Sequence, residues 1–249
     1  LQNTVWYTFT MKLIFLDTET TGNESKDRLC QLAYKEAGDG EKFSELFKPP
    51  LPIAIESSAV CHITNKMVAD KPAFVDSPHF ASVKKLLEDD NVVTIAHNAK
   101  FDLGMLEREG IVPSQHICTL RVARYLDRDG VIPRYNLQYL RYYLGIEIEA
   151  TAHDALGDVM VLEEIFARLL KKITEEVGGN EDDALKKMIE VSSLPSLINV
   201  ITFGKYNGRK VADLANEDPG YLNWLLTEKR KSDSDEEDWI FTLEKYLKK

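Results

Sequence analysis

The chain has 249 residues, of which 44% are hydrophobic and 29% charged, and its formal net charge is −10 at pH 7. This length can hold one full domain and a small second one, and no apolar run is long enough to span a membrane. The three cysteines are far apart and form no C-x-x-C pair, which argues against a disulfide framework or a zinc site and predicts a cytoplasmic location. The acidic charge argues against indiscriminate binding to nucleic acid, but it does not exclude a nucleic-acid enzyme whose acidic site is masked by metal.

The first chemical signal follows a short apolar run. Residues Leu13–Leu16 predict a buried strand, and Asp17 and Glu19 follow it two residues apart, so an extended chain points both carboxylates to the same side. Two like charges side by side at the edge of a core are unfavourable unless a cation lies between them. The pair therefore indicates either a strand that ends in solvent or a metal site.

The rest of the chain predicts a mixed α/β sheet flanked by helices. Strands are expected at 29–35, 42–47 and 92–96, and helices at 65–68, 80–87, 101–109, 118–125, 137–144 and 155–172. The main domain is expected to span residues 11–178, followed by a connection over 179–200 that contains a polar helix at 181–190. A small hairpin-helix domain over 201–249, with its hairpin at 202–211, completes the predicted chain.

Two further polar groups lie at the predicted starts of helices. Asp102 is expected in a first helical turn, where a carboxylate is favourable for structural reasons alone, and Asn98 could cap the same helix. His153 and Asp158 begin the long helix, and Asp158 lies beside its apolar stripe, where a purely structural aspartate is unusual. A capping Asp154 with an incidental histidine is the structural alternative for this third group.

Together, the three groups resemble the DnaQ-like, or DEDDh, 3′–5′ exonuclease family in their order and spacing. The resemblance covers residue 12 to about residue 172 and implies a ribonuclease H-like fold, with five catalytic residues: Asp17, Glu19, Asp102, His153 and Asp158. It implies that the four carboxylates bind two ions, and oxygen ligands suit Mg²⁺ or Mn²⁺. His153 would take the proton from the attacking water.

The same resemblance implies a pocket for the terminal nucleotide. The loop after the first motif and a His-Ile-Thr segment are expected to contact the nucleotide, as is the start of the helix that contains Asp102. The predicted substrate contacts are Thr20, Thr21, Gly22, His62, Thr64, His97, Asn98 and Phe101. For Phe101, a place in the hydrophobic core is an equal alternative.

The second unit resembles the C-terminal part of the exodeoxyribonuclease X branch of this family, which acts on DNA. Lys205, Arg209 and Lys210 place three positive charges on the predicted hairpin, and contact with DNA or phosphate is one hypothesis for them. The prediction is a 3′–5′ exodeoxyribonuclease that binds DNA with a free 3′ end and releases 5′-mononucleotides in repair or proofreading. An RNA-trimming enzyme of the same family, or a proofreading subunit that mainly binds a polymerase or repair protein, remains open.

One more cationic set lies on a predicted helix. Arg121, Arg124 and Arg128 share a helical face, which permits contact with a nucleic-acid backbone. Ordinary solvated helix charges are the favoured interpretation of this set.

Overall fold

The computed structural model describes residues 11–148, 155–232 and 236–248. Five strands form one sheet: β1 (Lys12–Thr20), β2 (Leu29–Glu36), β3 (Lys42–Leu46), β4 (Val92–Ala96) and β5 (Gln115–Cys118). Their order is β3-β2-β1-β4-β5, and β1 pairs antiparallel to β2 and parallel to β4. β2 pairs antiparallel to β3, and β4 pairs parallel to β5. The predicted mixed sheet is confirmed, although β5, with only four residues, was not predicted.

Helices cover both faces of this sheet. They are α1 (Ile55–Cys61), α2 (Asn65–Val68), α3 (Phe80–Leu87), α4 (Lys100–Arg108), α5 (Thr119–Leu126), α6 (Leu137–Tyr143), α7 (Ala155–Glu176), α8 (Glu181–Ser192), α9 (Val211–Glu217), α10 (Pro219–Lys231) and α11 (Glu237–Leu247). Within the described ranges, no helix combines the length and the apolarity that a membrane crossing requires. The sequence prediction found most of them, but α1 and α9 are new.

Side chains along β1 alternate between two hydrophobic cores. Leu13 and Phe15 pack in the core that contains α7, where the ring of Phe15 meets Phe166 edge-on at 5.3 Å between centroids. Ile14 and Leu16 pack in a second core with residues of α3 and α4. Successive side chains of a strand point to opposite faces of the sheet. Side chains at the odd-numbered positions of β1 therefore point toward α7, and those at the even-numbered positions point toward α3 and α4.

A buried ion pair fixes α7 against the sheet. Lys35 Nζ of β2 lies 2.6 Å from Glu163 Oε2 of α7, and the two side chains are only 6% and 18% exposed. The other carboxylate oxygen of Glu163 accepts the backbone N–H of Gly38 at 2.8 Å. These bonds prevent α7 from sliding along the sheet. Because Asp158 lies little more than one turn before Glu163, its position is fixed by the same contacts.

The helix predicted as a polar connection has an apolar face in the main core. Ala184, Leu185 and Met188 of α8 are buried in the same cluster as the residues of α7. The amphipathic spacing of these residues was hidden in the sequence by the acidic start of the helix. α8 therefore also packs as part of the main structural unit.

The small C-terminal unit has its own core, but its predicted hairpin is wrong. A 3₁₀ turn at Gly204–Tyr206 and a single β-bridge between Val200 and Lys210 replace paired strands. Gly204 and Gly208 adopt positive φ angles of 61° and 85°, so the chain turns twice within a few residues and extended strands cannot form. The hydroxyl of Tyr206 donates to Asp218 at the start of α10, which holds the turn there.

The C-terminal unit is joined to α5 by what we call the docking contact, formed by Arg121, Arg124, Glu237 and Asp238. Arg121 lies 2.7 Å from Glu237 and 3.2 Å from Asp238, and Arg124 lies 2.7 Å from Asp238. The predicted solvated helix face therefore serves in part as an internal attachment surface. Of the three arginines on it, only Arg128 is largely exposed, at 68%.

Candidate active site

Three carboxylates converge at the end of β1, and we call them the carboxylate cluster. Asp17 and Glu19 lie on the face of β1 that continues from Leu13 and Phe15 toward α7, and Asp158 lies in the first turn of α7. One oxygen from each of the three side chains lies within 4.8 Å of the other two. Asp158 is buried, at 8% exposure, while Asp17 and Glu19 are partly accessible. The expectation that these residues meet in space is therefore met by the geometry.

Asp158 also contacts Gln138, a residue that no sequence motif singles out. The amide nitrogen of Gln138, in α6, donates a hydrogen bond to Asp158 Oδ1. Arg141, one turn further along α6, donates to the backbone oxygen of Ile148 at 2.6 Å. Because the pairing of α6 with α7 is a long-range contact, no local pattern could have identified Gln138.

Asp102 approaches β1 from the opposite face of the sheet. Its Oδ1 atom accepts the backbone N–H of Thr18 at 3.0 Å and the Thr18 hydroxyl at 2.7 Å. The pairing of β1 with β4 ends at Phe15, so this carboxylate provides an acceptor where the neighbouring strand no longer does. Burial raises the pKa of Asp102 to about 7, while the two bonds from Thr18 lower it. Asp102 thus lies beside Thr18, the residue that separates Asp17 from Glu19 in the strand. The predicted contact of Asp102 with a metal ion remains a prediction.

The loop after β1 is organised by Asp27. Its carboxylate accepts the hydroxyl of Thr21 at 2.7 Å and the backbone N–H of Glu24 at 2.8 Å. A Cβ atom on Gly22 would lie 2.4 Å from Asp27 Oδ2, so only glycine fits this close approach. Thr20 donates its hydroxyl to the Gly22 oxygen at 2.7 Å, which tightens the turn further. Thr21 is buried and its hydroxyl is bonded to Asp27, and its predicted nucleotide contact remains a prediction.

A cleft of about 630 Å³ adjoins the carboxylate cluster. Four of the predicted residues, Thr20, Thr21, Gly22 and Phe101, line it together with Glu19. The opposite part of the lining comes from the unpredicted helix α1, which contributes the following residues: Glu56, Ser57 and Val60. Val60 is 54% exposed, so the cleft has apolar surface as well as carboxylates.

His62 and Thr64 follow α1 and are not among the described residues that line the cleft. His62 directly follows the last residue of α1 and caps this helix in the left-handed conformation with φ of 60°. The hydroxyl of Thr64 accepts the backbone N–H of Met67 and caps α2. Nucleotide contacts by either residue remain predictions.

His97 and Asn98 have structural environments of their own. His97 Nε2 donates to the backbone oxygen of Tyr135 at 2.6 Å, and Nδ1 lies 2.9 Å from the hydroxyl of Thr119. Burial lowers the pKa of His97 to about 4, so the ring is neutral at pH 7. Asn98 is exposed with φ of 62°, and the cap position of α4 belongs to Ala99, so the predicted Asn98 cap is wrong.

His153 lies outside the described residues, as do its neighbours from 149 to 154. The described residues on either side are Ile148, whose oxygen is held by Arg141, and Ala155, which begins α7. The predicted role of His153 as the base therefore remains a prediction.

The donor set of the carboxylate cluster fits a hard divalent cation. All three side chains offer oxygen, and their spacing allows one ion to contact all of them. The three cysteines are free and buried, so no thiolate is available near the surface to favour zinc. A cation would also offset the repulsion among three neighbouring carboxylates.

Comparisons of sequence give a consistent relationship. The sequence model of the exonuclease family matches residues 14–166, and that of the exodeoxyribonuclease X-like C-terminal family matches residues 201–229. The chain is 32% identical to exodeoxyribonuclease 10 of Escherichia coli strain K12, over 94% of this chain and 98% of that protein. It is 28% identical to DNA polymerase III subunit epsilon of Treponema pallidum strain Nichols, over 70% and 85% of the two chains.

Solved structures support the same fold. Exonuclease X in complex with 5′ overhanging duplex DNA matches with a TM-score of 0.56 and 26% identity, over 72% of this chain and 99% of that chain. E. coli exonuclease I in complex with a dA16 oligonucleotide matches in fold with a TM-score of 0.54 and 22% identity, over 65% of this chain and 41% of that chain. The predicted ribonuclease H-like class is thus confirmed. The chain belongs to the exonuclease family and joins its nuclease domain to an exodeoxyribonuclease X-like C-terminal unit.

Proposed function

We propose that the protein is a metal-dependent exodeoxyribonuclease that releases 5′-mononucleotides from the 3′ end of DNA, in repair or proofreading. The observation that carries this proposal is the convergence of Asp17, Glu19 and Asp158 beside a cleft of about 630 Å³. The choice of DNA is supported by the names of the E. coli relative and of the solved exonuclease X complex. A cytoplasmic location is the accompanying expectation.

Two ions of Mg²⁺ or Mn²⁺ are the proposed cofactors. The carboxylate cluster would hold one ion, and Asp17 with Asp102 would hold the second. Bound ions of this kind stabilise charge on both the attacking and the leaving oxygen of a phosphodiester. Few carboxylates suffice for Mg²⁺, because this ion keeps several waters and shares its other positions with phosphate oxygens.

The cleft is the proposed position of the 3′-terminal nucleotide. Phe101 and Val60 offer apolar surface to a base or sugar, and the loop Thr20–Gly22 lines the same space. His153 would take the proton from the attacking water, since an imidazole with an ordinary pKa near 6.5 suits a general base at neutral pH. This role of His153 is inferred from the family resemblance.

The same catalytic groups are compatible with two other functions. One is an RNA-trimming enzyme. Because RNA differs from DNA by its 2′-hydroxyl, such an enzyme would cleave an RNA strand faster than the matched DNA strand. A polymerase-associated subunit is favoured by the similarity to the epsilon subunit of T. pallidum. That function predicts weak activity of the isolated protein and a defined complex with a polymerase on a sizing column.

The proposal is tested by digestion of 5′-labelled single-stranded DNA, duplex DNA and a matched RNA strand with Mg²⁺. We expect the DNA to shorten stepwise from its 3′ end with release of mononucleotides, and the RNA to be cleaved much more slowly. Asp158→Asn should leave all three substrates intact. Uncut DNA with the wild-type protein, or equal cutting by the variant, would refute the proposed activity.

A further inference from the structure

The solvent-facing side of α6 carries three tyrosines: Tyr139, Tyr142 and Tyr143. Tyr142 is 73% exposed and Tyr143 is 46% exposed, and the rings of Tyr139 and Tyr143 stack with centroids 6.0 Å apart and planes 20° apart. Large side chains that cluster in water on a short helix contribute little to the core. Such a patch commonly marks a binding surface.

This patch is continuous with the carboxylate cluster. Gln138 of α6 donates a hydrogen bond to Asp158, and Tyr142 follows Gln138 by four residues, so the two side chains are neighbours on one face of the helix. Leu140 and Arg141 are buried on the other side of α6. The tyrosines therefore begin where the carboxylate cluster ends and extend outward from it.

The segment that contains α6 carries one exposed cation, Arg134. Residues 130–146 include no aspartate or glutamate, and Asp129 and Glu147 lie directly on either side of this segment. The guanidinium carbon of Arg141 lies 5.4 Å from the centroid of the Tyr142 ring, but Arg141 is buried and donates to the Ile148 oxygen, so it supports the ring from below and does not face a phosphate. Aromatic rings interspersed with cations are the combination that binds the bases and phosphates of a single strand.

We propose that this surface, the α6 tyrosine face, stacks the bases of a single strand just ahead of its 3′ end. The inference rests on the proposed function, because it takes nucleic acid as the substrate. Stacking on tyrosine does not depend on base identity, since every base has a π-face. The face would hold the strand while successive 3′ nucleotides reach the cleft, so it favours substrates with a single-stranded end.

The test measures binding of fluorescein-labelled oligothymidylates by anisotropy in EDTA, where no hydrolysis occurs. For an oligonucleotide of about 15 nucleotides, we expect the double variant Tyr142→Ala, Tyr143→Ala to bind about tenfold more weakly than the wild type. For a labelled mononucleotide, whose single base occupies the cleft and does not reach the face, the change should be within about twofold. Tyr142→Phe keeps the ring and should retain the binding of the long strand.

Trp224→Ala is the matched control, because Trp224 is an aromatic residue of the C-terminal unit whose exposure (55%) lies between those of Tyr142 and Tyr143. Equal binding of the long strand by the double variant and the wild type would overturn the inference, as would an equal loss with Tyr142→Phe. If the double variant instead abolished self-association seen with the wild type and left DNA binding unchanged, the face would be a protein interface. Hydrolysis by the wild type with Mg²⁺ is measured separately, so failure of the proposed function is distinguished from failure of stacking.

Discussion

The protein contains two acidic groups that are built in opposite ways. In the carboxylate cluster, three like-charged side chains come within 4.8 Å of one another. In the docking contact, Glu237 and Asp238 are matched by two guanidinium groups at 2.7 Å. Neighbouring carboxylates raise each other's electrostatic energy, whereas paired opposite charges compensate for their lost hydration. The first arrangement is the one where we propose a metal site; the second is complete by itself and serves architecture.

The sharpest test of this contrast substitutes one carboxylate in each group. Asp158→Asn should lower nuclease activity by at least about a thousandfold, roughly 4 kcal/mol of transition-state stabilisation, because it removes a proposed metal ligand. Its melting temperature without metal should be equal to or above that of the wild type, since repulsion is relieved. Asp238→Asn should show the reverse: activity close to wild type and a lower melting temperature.

Metal addition provides the control for that pair. Mg²⁺ should raise the melting temperature of the wild type and of Asp238→Asn, because a ligand that binds only the folded state stabilises it. It should have no such effect on Asp158→Asn. Stabilisation of all three proteins to the same extent would contradict a metal site in the carboxylate cluster.

The docking contact should be the more important of the two groups for stability. Arg124 is 17% exposed and Asp238 is 19% exposed, so Arg124→Ala removes the nearer of the two guanidinium partners of a largely buried carboxylate and leaves it only Arg121, at 3.2 Å. We expect a loss of about 2 kcal/mol in the free energy of unfolding, measured with denaturant, and faster proteolysis of the C-terminal unit. Arg128→Ala is the matched control, because Arg128 is 68% exposed in its pair with Glu176 and should change stability little.

A smaller effect is expected from substitution of Gln138, the uncharged residue that donates a hydrogen bond to the carboxylate cluster. Gln138→Met keeps the size of the side chain but removes the hydrogen bond to Asp158, so the carboxylate is held less firmly. We expect the affinity for Mn²⁺ to fall about tenfold, measured by calorimetry, with a parallel increase in the Mg²⁺ concentration that gives half-maximal activity. Gln115→Met, at a glutamine that donates to the backbone of Asp90, should change neither quantity.

The smallest effect concerns pH. The hydrogen bond from Arg121 holds the pKa of Glu237 below its ordinary value of 4.5. The folded protein therefore binds this proton less readily than the unfolded chain, so the stabilisation is complete above pH 4.5 and is lost as the pH falls through the lower folded value. Glu237→Gln should flatten the fall in melting temperature of the wild type over this acidic range. An unchanged slope would show that Glu237 does not contribute to the docking contact in solution.

The contrast between the two acidic groups could be read only in part from the sequence. The spacing of Asp17 and Glu19 after an apolar run, with Asp102 and Asp158 at helix starts, carried the family resemblance, and that resemblance implied a metal site and a ribonuclease H-like fold. These signals are local, because strand alternation and first-turn positions depend on a few neighbouring residues. Arg121 and Arg124 gave no comparable signal, since an arginine that faces water and one that faces a distant carboxylate have the same local pattern.

The sequence by itself determined the mixed sheet and the existence of a separate C-terminal unit, and the family resemblance predicted which residues carry the chemistry. Only the tertiary structure decided that Asp102 reaches β1 from the opposite face to Asp158, that Gln138 contacts Asp158, and that α1 lines the cleft. It also replaced the predicted hairpin by a turn held against α10. These features depend on contacts between segments far apart in the chain, whose energies come from packing and burial and leave no periodicity in the sequence.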